Sequence, residues 1–206
     1  MTSPSESQSS LDDRATILWR RLDQPGHEAA ELARSAGGWR LAGVAVLAHA
    51  ERPCRLQYVI TCDSEWRTRR CRIRGYIGAA PVRLNLARDP AGEWTVDGAR
   101  AATLSGCHDV DLGFSPATNL LPIRRLGLSV GASAPVRAAW VRFPEITTEV
   151  LEQVYTRVAP ERYLYESAGG VFRRELTVDA LGFVLLYPDL WRAEARAGSQ
   201  LATLAG

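Results

Sequence analysis

The sequence predicts an all-β chain with little helix, and two observations carry that prediction. Apolar and polar residues alternate in short runs along most of the chain, and turn signals recur between the runs. Their spacing, about every 8 to 12 residues, is that of an all-β roll, sandwich or barrel.

Residues 1–13 are Ser-rich and polar and read as a disordered leader, with order beginning near Ala15. Residues 17–22 form a first strand, stopped by Asp23-Gln24-Pro25-Gly26. Residues 27–34 contain helix formers but span only about two turns, too few for a secure helix, and are assigned as strand. Residues 39–47 are apolar and β-branched, and Gly43 marks a bulge or a close backbone approach. The clearest alternation comes next. Leu56, Tyr58, Ile60 and Cys62 share one face. Cys71, Ile73 and Ile77 oppose Arg70, Arg72, Arg74 and Tyr76, and Val82, Leu84 and Leu86 oppose Arg83 and Asn85. Asp89-Pro90-Ala91-Gly92 turns the chain into residues 94–96. Further strands are expected over 136–143, 147–157, 163–166, 171–179 and 183–187, and only the tail from Leu190 onwards has helical character. One domain, residues 14–192, is expected, with residues 193–206 as a C-terminal tail.

The 206 residues are enough for one well-buried domain. The net charge of +2 is spread along the chain, and every basic residue is arginine, so neither a nucleic-acid tract nor an acidic arm stands out. Residues 1–15 lack the basic and apolar regions of a secretory signal, and no stretch reaches the roughly 20 apolar residues of a membrane span. A cytoplasmic protein without an integral membrane segment is the expectation. Cys54, Cys62, Cys71 and Cys107 have no C-x-x-C spacing and read as buried free thiols.

Function is sought in residues 104–128, LSGCHDVDLGFSPATNLLPIRRLGL. Asp109 and Asp111 lie two apart on a strand, so both carboxylates face one side while Val110 and Leu112 face the other. Ser115-Pro116-Ala117-Thr118-Asn119 reads as a rigid loop of self-bonding residues, and Arg124-Arg125 lies beyond it within reach of the aspartates. The segment is either a structural latch or a ligand site. An enzyme would use Asp109, Asp111 and His108, yet these are too few for a closed metal site, and no G-x-S-x-G, P-loop or H-E-x-x-H motif occurs. No cofactor or metal is expected. A binder would use Trp66, Trp140, Tyr163, Tyr165 and Tyr187 as lining, with Asp109, Asp111, Thr118, Asn119, Arg124 and Arg125 as polar contacts. The row Arg67, Arg69, Arg70, Arg72 and Arg74 reads either as an anion-meeting strip that includes Arg67 or as a solvated outer face.

Five motifs in order carry a resemblance. They are Trp19-Arg20-Arg21-Leu22, Cys62-Asp63-x-x-Trp66-Arg67-Thr68-Arg69, Asp109-x-Asp111-Leu112, Ser115-Pro116-x-Thr118-Asn119-x-Leu121-Pro122-Ile123-Arg124-Arg125, and Asp179-x-x-Gly182-x-Val184-x-x-Tyr187-Pro188. From about Ala15 to Trp191 the chain resembles the bacterial "putative glycolipid-binding" family. The resemblance implies a single-domain antiparallel spiral β-roll, a partly closed barrel-like sheet, similar to periplasmic lipoprotein carriers that hold acyl chains. It carries over no catalytic residue. The resulting expectation is a non-enzymatic binder of a glycolipid or other amphipathic small molecule, with no nucleic-acid partner. A hydrolase acting on a sugar- or lipid-containing substrate through Asp109 and Asp111 is the alternative, and a structural or interaction module is the third reading.

Overall fold

The computed structural model describes residues 14–198. The expected leader, residues 1–13, lies outside them, as do residues 199–206 of the expected tail. An N-terminal meander runs through β1 (Arg14–Arg21), β2 (Gly26–Ser35), β3 (Gly38–His49), β4 (Arg52–Asp63), β5 (Thr68–Ile77) and β6 (Ala80–Arg88), with two short strands, β7 (Trp94–Val96) and β8 (Ala99–Arg100), completing it. A short strand β9 (Asp109–Leu112) and a helix α1 (Leu120–Leu126) come next. A second meander comprises β10 (Ser133–Val141), β11 (Thr148–Ala159), β12 (Arg162–Ser167), β13 (Phe172–Val178), β14 (Val184–Tyr187) and β15 (Trp191–Ala197).

These strands make one 15-stranded sheet in the order β8-β7-β6-β5-β4-β3-β2-β1-β15-β14-β13-β12-β11-β10-β9. The two meanders are joined where β1 pairs antiparallel with β15. The sheet rolls until β9 comes beside the start of β5, where Thr68 N–H donates to His108 O at 2.9 Å and Val110 N–H donates to Thr68 Oγ1 at 3.2 Å. It is therefore an all-β spiral roll whose β9 edge meets β5 without closing a continuous ladder. No helix among the described residues is long and apolar enough to cross a membrane.

The period-2 faces place the core. Leu56, Tyr58, Ile60, Ile73, Leu84 and Val184 are buried inside the roll, as their alternation predicts, while Arg70, Arg72 and Arg74 face outward. Leu186, expected inside with Val184, is half-buried. Val178 pairs with Val184 and Thr177 with Leu186, so Leu185 is an extra residue that flips the face of Leu186 and Tyr187. Cys54, Cys62, Cys71 and Cys107 are buried free thiols.

Three further expectations are corrected. The described part of the tail after Leu190 is strand β15, not helix: the open edges of β1 and β14 offer hydrogen bonds that outweigh the helix preference of Ala, Glu and Arg. The segment after Asp111 is not only loop, since residues 117–119 form a 3-10 turn that leads into α1. Nor is every pairing antiparallel. β9 runs parallel to β10, and such a pair needs a crossover of a dozen or more residues, which the α1 segment supplies. That crossover passes through the interior. Phe114, Leu120 and Leu121 are fully buried there, and Gly127, at φ +53°, ends the helix with its N–H on Ile123 O.

Gly43 proves to be a close approach. It pairs with Tyr58 across β3 and β4, and a Cβ at position 43 would sit 2.4 Å from the Tyr58 hydroxyl and 2.6 Å from ring carbon Cζ. The missing side chain is what lets Tyr58 lie across β3 towards β2. Gly43→Ala is expected to lower stability by about 1–3 kcal/mol, as overpacked cores do. Urea denaturation checks this, and an unchanged midpoint would show that the ring has room to move.

Candidate functional site

The latch between the aspartates and the arginines forms, with one partner on each side. Arg125 holds Asp109 bidentately, Nε donating to Oδ1 at 3.0 Å and Nη2 to Oδ2 at 2.6 Å. Asp109 is 1% exposed, and burial pushes its carboxyl up while the Arg125 guanidinium pulls against that. The expected half-buried strand with an acidic face is corrected, because Asp109, Val110 and Leu112 are all buried and both faces of β9 are covered. Asp111 bonds elsewhere. Gln153 Nε2 on β11 donates to its Oδ2 at 2.6 Å and lies 3.1 Å from the Tyr165 hydroxyl, and burial raises the Asp111 carboxyl to about 6.

The loop residues are likewise engaged within the fold. Thr118 Oγ1 accepts the Leu112 N–H at 3.2 Å, Asn119 Nδ2 donates to Pro116 O at 3.1 Å, and the Tyr155 hydroxyl donates to Asn119 Oδ1 at 2.9 Å. Tyr165 packs edge-on against Tyr155 and Tyr187, while Tyr163 lies beneath Arg157. Arg124 points away from the aspartates. Its guanidinium lies 5.3 Å from the Trp66 ring, Trp66 stacks on Trp39 at 4.3 Å, and Arg34 covers the far face of Trp39 at 4.1 Å. Trp66 has φ +66°, a strained conformation for a bulky side chain, held by the Asp63 carboxylate accepting the N–H groups of Glu65 and Arg67. Arg67 pairs with Glu65, and Trp140, half-buried on β10, lies under Arg142. Asp109, Asp111, Thr118, Asn119, Arg125 and Tyr165 thus gather around β9 and α1, with Trp140 of β10 in register beside Asp111, whereas Arg67 stands apart from them.

Sequence reasoning missed a further buried carboxyl. Glu28, on the inward face of β2, is 0% exposed, and its Oε1 accepts 2.6 Å bonds from both the Tyr58 and Ser115 hydroxyls. Its Oε2 has no partner, and burial raises the carboxyl to about 7. The signal was available: Glu28 shares the period-2 face of Ala30 and Leu32. Assigning residues 27–34 to a strand required asking what an inward Glu would meet.

Open grooves lie on the outside of the roll. One of about 680 Å³ crosses β15, β1, β2 and β3. Its floor is two cross-strand rows, Ala195-Leu18-Ala29-Val44 and Ala197-Thr16-Glu31-Ala42. A neighbouring cavity of about 470 Å³ shares Thr16, Arg196 and Ala197 with it and adds Leu181, Phe183 and Leu185. A further groove, of about 820 Å³, lies over β4 to β7 and is rich in arginine. Among the described residues, no three His, Cys, Asp or Glu side chains converge as a metal centre requires.

A family model described as "Putative glycolipid-binding" matches residues 16–193. The chain belongs to this family. That is the family its five motifs resemble, and the membership covers both meanders, β9 and α1. Among solved structures, a DUF1089-family protein from Pseudomonas aeruginosa is 30% identical, with 93% of this chain and 94% of that chain covered at a TM-score of 0.67. A beta-barrel-like protein of DUF1849 from Brucella abortus is 12% identical over 88% of this chain and 94% of that one, at a TM-score of 0.48. No curated protein matches.

The buried carboxyls generate two predictions. Asp109→Asn leaves the largely buried Arg125 without its counter-charge, so stability should fall by about 3 kcal/mol. A loss of less than about 0.5 kcal/mol in urea melts would show that the latch contributes nothing. Glu28 favours the fold when protonated, since its folded pKa of about 7 lies above the ordinary 4.5. Its contribution is full below pH 4.5 and is lost as pH rises through 7, a span worth roughly 3 kcal/mol. Asp111 behaves the same way but finishes near pH 6. Between pH 6 and 8, stability should therefore drop more steeply in the wild type than in Glu28→Gln, and parallel profiles would rule Glu28 out as the source.

Proposed function

We propose that the protein binds a glycolipid or a related amphipathic small molecule without transforming it, and that the apolar part of the ligand lies in the outer trough across β15, β1, β2 and β3. One observation carries this reading. The solvent side of four neighbouring strands holds Ala29, Ala42, Val44, Ala195 and Ala197, where a strand that faced only water would show polar residues. Small side chains make one floor row, Ala195-Leu18-Ala29-Val44, apolar, and Glu31 in the other row accepts from Arg14 at 3.0 Å and from Arg40 at 3.2 Å. Apolar walls with a few polar groups at the edge are what an amphipathic molecule needs. The family description agrees with such a ligand.

In this reading Asp109, Asp111, Thr118, Asn119, Arg125 and Tyr165 form the frame that carries the curved sheet, while Trp66 and Arg124 brace one end of it. The hydrolase reading has less support. Asp109 and Asp111 accept bonds from Arg125 and Gln153, and neither lines any of the three outer grooves.

The test combines native mass spectrometry of gently purified protein with thermal shifts in the presence of a neutral glycosyl diacylglycerol. Wild type should carry a lipid adduct and melt higher with the glycolipid. Ala42→Gln places a longer polar side chain in the trough and should weaken binding about tenfold, or about 1.4 kcal/mol, with the unliganded melt unchanged. Equal glycolipid stabilisation of both proteins would overturn the placement.

A further inference from the structure

The trough does not stop at β3. Its two rows continue in register, Ala42 to Val59 and Val44 to Gln57 across β4, then Val59 to Arg72 and Gln57 to Arg74 across β5. At one strand per roughly 4.8 Å, a row from β15 to β5 spans roughly 24 Å. It ends in the groove of about 820 Å³, whose lining includes Arg69, Arg70, Arg72, Arg88 and Arg100.

The charges in that groove do not balance. Arg69 meets the Asp63 carboxylate at 3.0 Å and Arg100 meets Glu93 at 2.7 Å. Arg70 and Arg72, neighbours on β5, have no ion pair or hydrogen bond among the described residues. Arg88 Nη2 lies 3.4 Å from His108 Nδ1, and its Nε is buried without a partner. Burial and the neighbouring Arg69 and Arg67 disfavour the charge on Arg88, and His108, whose charged form burial, Arg125 and Arg88 disfavour, is no counter-charge in either protonation state. One step further along the strip, Arg74 of β5 stands directly opposite Arg83 of β6. Like charges in register across a sheet destabilise it, so a strip of this kind calls for an anion from outside.

We infer that the Arg70-Arg72-Arg88 groove is a binding site for a phosphate-type oxyanion. Guanidinium groups suit this ligand because their forked N–H donors match tetrahedral oxyanions and keep their charge at any physiological pH. Its position at the end of the trough makes the ligand a lipid with an anionic head, the chain over the alanines and the phosphate among the arginines. That placement rests on the trough as the ligand's seat, whereas the oxyanion site does not.

The experiment separates the two. Inorganic phosphate should raise the melting temperature of wild type above sodium chloride of equal ionic strength, and the Arg70→Gln/Arg72→Gln double variant should lose that shift. Both arginines are solvent-facing, so the variant should fold, and Arg137→Gln on β10 serves as a control that keeps the shift. In the lipid arm, wild type should sediment with phosphatidylcholine vesicles containing phosphatidic acid, and the double variant about tenfold less. Equal phosphate responses in wild type and double variant overturn the site, as does tighter binding of a single-stranded oligonucleotide than of the phosphatidic acid vesicles. A phosphate shift that persists while Ala42→Gln leaves vesicle binding untouched supports the anion site and removes the trough.

Discussion

An open sheet has two free edges, and the β9 edge here governs how the rest is arranged. Strand β9 is short, covered on both faces and paired on one side only, so its other side must find donors and acceptors in a place water does not reach. Thr68 supplies them by offering its N–H to His108 and its hydroxyl to Val110. With that seam made, the roll has an inside. Because β9 joins β10 in parallel, the connecting chain is carried through that inside, and α1 fills what would otherwise be a hollow barrel. The Asp109–Arg125 bond then ties the plug to the seam. Seam, plug and latch are one device, and it leaves the outer surface as the place for open grooves.

Filling the interior brings polar groups with it. Glu28, Asp111 and Asn119 are held by Tyr58, Gln153 and Tyr155, so the inside of the roll carries hydroxyl and amide bridges that span one intervening strand or tie the plug to β11, within an apolar shell. Such networks rigidify a core when they are satisfied. Ser115 links the two halves of this set, since it caps the turn that begins the plug through the Ala117 N–H and also donates to Glu28 on β2.

Most of the architecture was readable because a sheet with one buried face shows a period of two, and β4, β5 and β6 show it clearly. The latch was readable for a different reason: two carboxylates and two guanidiniums flank a Pro-bracketed turn, and local chain geometry limits where they can go. The features that escaped depend on distant partners. Residues 191–197 prefer helix locally and become strand because β1 and β14 have vacant edges. Leu186 lost its face to a single inserted residue, Leu185. Which arginine closes the latch depends on the phase of α1, which turns Arg125 inward and Arg124 towards Trp66. The alanine trough was hidden because each alanine is ordinary in its own strand, and only cross-strand register lines them up.

Register also has a consequence in time. Trp191 of β15 pairs with Arg21 of β1, about 170 residues earlier in the chain. During synthesis at 5–20 residues per second, the outer edge of β1 therefore waits roughly 10–30 s for its partner. For that interval a half-buried eight-residue strand carrying Ile17 and Trp19 presents an unpaired ladder to whatever is nearby. The nascent N-terminal meander therefore keeps an unsealed edge until β15 has been made and pairs with it.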